Sequence, residues 1–453
     1  MIVRPHILGL FFMDLTETVL ISITWRTYNT ILYIESSLEK QMYKKSFSGP
    51  RRGGPSRFGS GPAKRVNYAS HARGARRPQR GGQKTEEINF SRFINKAQTE
   101  EVIEIFVPDN KFSDFKIVDT LKSAIISKGY DTPTPIQDKA IPELLKNKDV
   151  VGIANTGTGK TAAFLIPLIN KVLLNRREQV MIIVPTRELA IQIDDELRQF
   201  TAGMKIFSVC CVGGAAINKQ ISQLHYQYNF VIGTPGRLKD LIERKKLFPA
   251  DFRSIVLDEA DRMLDMGFVA DMRAVMNAMP KDRQTLFFSA TINHDIERLI
   301  GEFLRDPMRI SVKTQDTAKN IEQEVVYVDR MKGKLETLHD LLNKQDFAKV
   351  LIFGRTKHGV EKLSRELSKR GFKADSIHGD KSQSQRQRAL ASFKNNMSKI
   401  LVATDVAARG LDIANISHVI NYDMPATNDD YIHRIGRTGR GVKNGKAITL
   451  IEL

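Results

Sequence analysis

The stretch ANTGTGKT, residues 154–161, constrains the fold more than any other part of the chain. The residues before it, DVVGI at 149–153, are short, apolar and rich in β-branched side chains, which predicts a buried strand. From Lys160 onward KTAAFLIPLINKVLL favours a helix, apart from one proline. Strand, glycine-rich turn and helix is the setting of a phosphate-cradling loop. Gly157 and Gly159 let the backbone curl so that successive N–H groups face one anion, and the helix N-terminus adds its partial positive charge. Thr156 and Thr158 lie in the same loop. Lys160 has the length to reach β- and γ-phosphates, and Thr161 the hydroxyl to bind Mg²⁺. The strict pattern begins with Gly where this chain has Ala154, a small departure.

The ordered part repeats one rhythm. Short apolar runs (VMIIVP at 180–185, FSVCCV at 207–212, NFVIG at 229–233, SIVLDEA at 254–260, TLFFSA at 285–290) alternate with helical segments such as RELAIQIDDELRQF. This predicts an α/β fold, a mainly parallel sheet with helices on both faces. In such sheets ligands bind at the carboxyl ends of the strands. The polar stretch VKTQDTAKN at 312–320 breaks the rhythm, which then restarts with EVVYVD, KVLIFGRT, ADSIHGD, KILVATDVAARGLD, HVINYD and KAITLIEL. The expected division is 110–311 for a first domain, 312–320 for a linker and 321–453 for a second domain of the same class.

Of the net charge of +19, the segment from Met42 to Lys84 carries +12, because it holds twelve Lys and Arg and no Asp or Glu. It is rich in Gly, Ser and Pro, with Arg-Gly-Gly at 52–54 and 80–82, and too polar to bury a core. Residues 42–109 are therefore expected to form a disordered basic arm, suited either to RNA or to a solubilising linker role. Cys210 and Cys211 are neighbours without metal-ligand spacing and read as core residues of a reduced, cytoplasmic protein. Residues 1–41 are apolar but interrupted by Asp14 and Glu17, and no run reaches the ~18 residues of a membrane span. The expectation is a mis-assigned upstream start, with Met42 the initiator; a membrane-surface anchor is the rival.

DEAD, Asp258–Asp261, follows the apolar SIVL. An acidic pair at a strand end beside a phosphate loop can hold Mg²⁺ through Asp258 and orient or deprotonate a water through Glu259. In isolation these four residues also fit the solvated start of a helix.

GYDTPTPIQ, ANTGTGKT, PTRELA, TPGR, DEAD, SAT, VATDVAARGLD and HRIGRTGR occur in the order found in DEAD-box RNA helicases. The chain resembles that family over about residues 110 to 453, nearest in flavour to its bacterial cold-adaptation members. The resemblance implies two tandem RecA-like domains that close on ATP, with Mg²⁺, and on single-stranded RNA. It implies an RNA-dependent ATPase that unwinds short duplexes. It assigns adenine recognition to Gln137 and Tyr130, with Phe112 the upstream aromatic, although both aromatics also fit a plain core role. Asp412 matches the ribose-contacting acid, and Arg437 and Arg440 the arginine fingers. Ser289 and Thr291 of SAT are expected to tie hydrolysis to duplex opening by bonding the DEAD carboxylates, Asp261 among them, and His433 to bridge the domains.

RNA contacts are expected at Pro185, Thr186 and Arg187, at Gly213 and Gly214, and at Thr234, Pro235, Gly236 and Arg237. In the second domain they fall on Arg355, Thr356, Thr404 and Arg409. Hydroxyls, backbone N–H groups and arginines suit phosphates and carry no sequence information, and some of these residues are expected to be caps or turn formers instead. The rival functions are an ATP-gated RNA clamp without turnover and a DNA helicase. The presence of Glu259, Arg437 and Arg440 disfavours the clamp, and the Q motif with DEAD disfavours the DNA helicase. No membrane partner is expected.

Overall fold

The computed structural model describes residues 106–155, 157–312, 321–344, 347–408, 413, 415–439 and 445–452. The 1–41 extension, the arm up to residue 105 and nearly all of the 312–320 linker lie outside the described residues, as do Thr156, Arg409, Asp412 and Arg440.

Two parallel sheets organise the chain. The first contains β1 (Val150–Ile153), β2 (Val180–Ile183), β3 (Ser208–Cys211), β4 (Phe230–Gly233), β5 (Ser254–Leu257), β6 (Gln284–Ser289) and β7 (Met308–Ser311), in the spatial order β3-β4-β2-β5-β6-β1-β7. The second contains β8 (Ile321–Val328), β9 (Val350–Phe353), β10 (Ala374–Ile377), β11 (Ile400–Ala403), β12 (His418–Asn421) and β13 (Gly445–Glu452), in the order β10-β11-β9-β12-β13-β8. The strand pairs are parallel throughout. The apolar runs in the sequence correspond to these strands.

Alternation along each strand divides the core. Ile182, Val256 and Phe288 face one side of the first sheet, and Met181, Ile183 and Phe287 the other. In the second sheet Val350, Ile352 and Val402 face one way, and Leu351, Phe353 and Leu401 the other. A sheet covered on both faces needs continuous apolar strands, which explains why these segments show no polar alternation. The helix Lys160–Leu174 is buried along nearly its whole length and runs through Pro167 without ending. Helices and strands on several sides hold it, so packing overrides local propensity there.

β7 was not expected from the sequence. It is an edge strand beside β1 in which only Ile310 is buried, so MRIS carries no apolar run. A single buried carboxylate fixes this corner. Asp149 accepts from Thr285 N at 2.8 Å and from Arg305 N at 2.8 Å, which ties the start of β1 to β6 and to the turn before β7.

Gly152 on β1 lies opposite Phe288 on β6. A Cβ at Gly152 would lie 2.5 Å from two carbons of that fully buried ring. Gly152→Ala is therefore expected to destabilise the protein by about 1–3 kcal/mol through overpacking. Urea unfolding measures the loss, and Phe288→Leu in the same chain should recover part of it.

Candidate active site

Strand order sorts the candidate residues. The three adjacent strands β5, β6 and β1 end in DEAD, SAT and the glycine loop. The adjacent β3, β4 and β2 end in Gly213–Gly214, Thr234–Arg237 and Pro185–Arg187. Parallel pairing puts all six ends on one edge of the sheet, nucleotide-type chemistry on one half and nucleic-acid-type chemistry on the other.

The glycine loop is shaped as a cradle. Gly157 and Gly159 have φ of 85° and 92°, conformations that glycine adopts without strain. Gly159 also has no room for a side chain, since a Cβ would lie 2.5 Å from Gln137 Nε2 and 2.9 Å from Thr134 Oγ1. Thr158 Oγ1 donates to Asn155 O at 2.8 Å and braces the turn. Lys160 is buried, and its Nζ donates to Ala154 O at 2.9 Å across the loop. Thr161 is half-buried one residue further along the helix.

At the end of β5, Asp258 is fully enclosed. Burial pushes its carboxyl up to about 6, against the pull of Lys160 and with added repulsion from Glu259. Its Oδ1 accepts from Glu259 N at 3.0 Å. Glu259 adopts a left-handed conformation, φ 52°, unusual for a non-glycine residue. Its Oε2 is buried and has no hydrogen-bond partner among the described residues. An unpaired buried carboxylate oxygen is costly, and it marks a place for a water or a ligand atom. No group of three or more metal-binding side chains occurs among the described residues.

Asp261 contrasts with Glu259. Its Oδ2 accepts from Ala290 N at 3.1 Å, Thr291 N at 3.2 Å and Thr291 Oγ1 at 3.3 Å. The expected tie between SAT and DEAD therefore runs through Thr291 and the backbone. Ser289 departs from expectation: its hydroxyl donates to Thr291 O at 2.7 Å and bonds no DEAD carboxylate. It shapes the SAT turn that delivers Thr291.

One aromatic expectation is corrected. Phe112 is 2% exposed, edge-on to Phe115 at 5.7 Å and to Tyr130 at 5.9 Å, so it has no free face for a base to stack on. Tyr130 packs edge-on against Phe200 at 5.6 Å and stays partly exposed. The plain core role describes Phe112. Gln137, also buried, accepts from Thr134 N at 2.9 Å and donates to Gly159 O at 3.0 Å.

On the other half of the edge, the Arg187 guanidinium lies over Gly213 and Gly214, where any Cβ at Gly214 would overlap it. Arg237 Nη1 donates to Gln220 Oε1 at 2.8 Å. Thr186 Oγ1 caps its helix by accepting from Leu189 N at 3.3 Å, and Thr356 Oγ1 does the same with Gly359 N at 3.0 Å. A hydroxyl that accepts as a cap still has its proton to donate to a phosphate. Pro185 is buried, Thr234 precedes its helix, Pro235 opens it and Gly236 follows.

In the second sheet, Arg355–Thr356 follow β9 and Thr404 follows the adjacent β11. Arg355 N donates to Asp423 Oδ2 at 2.8 Å. Arg437 is buried and its Nε donates to His433 O at 3.3 Å. Arg262, next to DEAD, lines one small cavity with His433, Arg434, Arg437, Asp405 and Phe353 of the second half. Arg434 is clamped by Asp405, at 2.5 and 2.8 Å.

Sequence reasoning missed Glu188 and Arg386. They form an ion pair of 2.6 Å between the helix Arg187–Phe200 of the first half and Gln383–Lys394 of the second, with side chains 2% and 9% exposed. Only their burial together identifies them, and spacing along a chain gives no sign of it.

Asp258 generates a pH prediction. In the nucleotide-free protein its carboxyl holds a proton up to about pH 6, whereas its ordinary value is 3.8. Folding takes up a proton between those values, so the stability this group contributes is present at low pH and lost as pH rises through about 6. Asp258→Asn removes the loss. Its melting temperature should exceed that of the unaltered protein near about pH 8, with the gap closing toward about pH 4, as read by calorimetry. A gap independent of pH would assign the effect elsewhere.

Residues 134–299 match the DEAD/DEAH box helicase family, and residues 333–442 match the helicase conserved C-terminal domain. Over 342 residues the chain is 44% identical to an ATP-dependent RNA helicase CshA of Limosilactobacillus reuteri, covering 75% of this chain and 69% of that protein. The DEAD-box ATP-dependent RNA helicase CshA of Bacillus subtilis strain 168 matches with the same identity and coverage. Among solved structures, S. cerevisiae Dbp5 bound to RNA and ADP BeF3 is 30% identical with a TM-score of 0.67, covering 76% of this chain and 89% of that one. Mss116p bound to ssRNA and AMP-PNP is 30% identical with a TM-score of 0.68, covering 74% of this chain and 73% of that one. With two parallel-sheet domains of the RecA-like kind and this degree of identity, the chain belongs to the DEAD-box ATP-dependent RNA helicases.

Proposed function

We propose that the protein turns over ATP at the ends of β1, β5 and β6 while the ends of β2, β3, β4, β9 and β11 hold one RNA strand. In this reading residues 110–311 and 321–453 are the two working domains, joined by 312–320. The observation that carries it is the buried, unpartnered Glu259 Oε2 beside Asp258, on the strand next but one to the glycine cradle.

The backbone N–H groups of the cradle, from Thr156 to Thr161, hold the phosphates, and Lys160 leaves the Ala154 carbonyl to join them. Thr161 and Asp258 would hold Mg²⁺, which would supply positive charge to offset that of the phosphates. Glu259 orients the attacking water and takes its proton. Arg437 and Arg440 present permanent planar charge to the γ-phosphate, and Asp412 meets the ribose. Gln137 reads adenine without giving up its present bonds, because its amide oxygen has a second lone pair and its nitrogen a second hydrogen. Asp261, Thr291 and Ser289 carry the state of the nucleotide toward the RNA half of the edge, with His433 at the contact between domains.

Arg187, Arg237, Arg355 and Arg409, with the hydroxyls of Thr186, Thr234, Thr356 and Thr404, bind phosphates irrespective of sequence. Closure favoured by ATP would then strain a short duplex, and ATP and RNA should tighten each other's binding equally. The free thiols Cys210 and Cys211, both raised in pKa by burial, fit a reducing cytoplasmic setting.

ATPase assays with RNA, with DNA and without polymer separate this reading from its rivals. A helicase of this kind is stimulated by RNA well beyond DNA, while a clamp binds RNA with ATP but turns over little. Glu259→Gln should retain ATP-dependent RNA binding and lose on the order of 10²–10⁴ in turnover. Normal hydrolysis by that variant would remove Glu259 from the role of base. Arg386→Ala leaves Glu188 buried and uncompensated, so it should weaken ATP-dependent RNA binding more than the double variant with Glu188→Ala does. Equal losses would show that the pair takes no part in closure.

A further inference from the structure

We infer that Asp138 is a positioning residue for nucleotide recognition, acting through its neighbour Gln137. The inference rests on the reading above that Gln137 meets the adenine. Asp138 is 3% exposed and sits in the first turn of the helix Pro135–Leu145. Its two carboxylate oxygens clasp the chain segment that leads into the domain. Oδ2 accepts from Asp109 N at 2.9 Å, and Oδ1 accepts from Asn110 N at 3.1 Å and from Asn110 Nδ2 at 2.8 Å.

The first turn of a helix is held least by its own backbone, since its N–H groups have no partner within the helix. Side-chain ties therefore set how that turn is rotated. Here there are two ties, from adjacent residues. Gln137 binds Gly159 O of the cradle, and the next residue, Asp138, binds Asp109–Asn110. The clasped segment is itself anchored two residues later, where Phe112 enters the core against Phe115 and Tyr130. The path from a rigid aromatic anchor, through the Asp138 clasp, to the Gln137 amide is continuous. It also gives Phe112 a part in base recognition that needs no stacking face. Gln137 offers a base only the second lone pair and second hydrogen of its amide, so a small rotation of the turn misdirects both.

The clasp needs a carboxylate. Both oxygens accept, and an amide in the same place would turn an N–H₂ toward one of the three donors. Asn and Ala variants should therefore both fail.

The test uses the full chain with saturating RNA, and compares kcat and KM for ATP and for GTP. Asp138→Ala should raise KM for ATP about tenfold, leave kcat nearly unchanged, and lower the ratio of kcat/KM for ATP over GTP by a similar factor. Asn110→Ala, which removes one of the three bonds from a half-buried position, should show a smaller shift in the same direction and keeps the test open if Asp138→Ala does not fold. Added to Gln137→Ala, Asp138→Ala should change the ATP/GTP ratio no further, because it acts through that amide. A lowered melting temperature with an unchanged ATP/GTP ratio would reduce Asp138 to a structural latch and overturn the inference. A ratio unmoved by Gln137→Ala alone would instead overturn the reading of Gln137, and this inference with it.

Discussion

Because β1, β5 and β6 pair in parallel and in register, the glycine cradle, DEAD and SAT leave the sheet from the same edge. Everything chemical in the first half of the chain depends on that alignment. The registers set Ile153 beside Ser289 and Leu257 beside Phe287, so β6 runs two residues past the end of β5. A shift of one residue in β6 would turn Phe288 to the opposite face and remove the ring for which Gly152 leaves space. The register is therefore fixed by packing well below the site. Asp149, at the other end of β1, supports the same alignment with its two backbone bonds.

On that edge the three DEAD carboxylates have unequal surroundings. Asp261 has its oxygens filled by backbone and hydroxyl donors, so it is a structural tie. Asp258 has one backbone donor and is buried enough to hold its proton up to about pH 6. Glu259 keeps one oxygen without a partner in a left-handed backbone that packing must sustain. Such an arrangement costs the fold stability. Strain and unpaired polar groups concentrated at one place are what a site prepared for a ligand looks like.

The sheets and the shape of the glycine loop were legible in the sequence, because both depend on local order. A covered parallel strand must be an uninterrupted apolar run, and a phosphate cradle needs glycines one residue apart before a lysine. β7 was invisible because an edge strand with one buried residue leaves no such run. Phe112 was misjudged because a buried anchor and a stacking face look alike in a string of letters, and only its 2% exposure separates them. Ser289 was misjudged because its carbonyl partner lies two residues away, inside the turn that it shapes. Asp138, Gln220 and Asp423 passed unnoticed because their meaning comes from partners at remote positions: Asp109 and Asn110, Arg237, and Arg355.

The contact between the two halves follows the same logic of incomplete satisfaction. Glu188 and Arg386 meet through one bond of 2.6 Å, yet Glu188 Oε1 and Arg386 Nε remain buried without partners, as do both amide atoms of nearby Gln383. A bidentate guanidinium–carboxylate pair with every neighbour satisfied would hold the halves together whatever was bound. A single bond with leftover buried polar atoms gives back in desolvation much of what it gains in attraction. The balance between open and closed arrangements can then lie close to even, where ligands with a differential affinity of a few kcal/mol decide it. A helicase that must release its strand after each turnover requires a contact of this kind, specific in geometry and weak in net free energy.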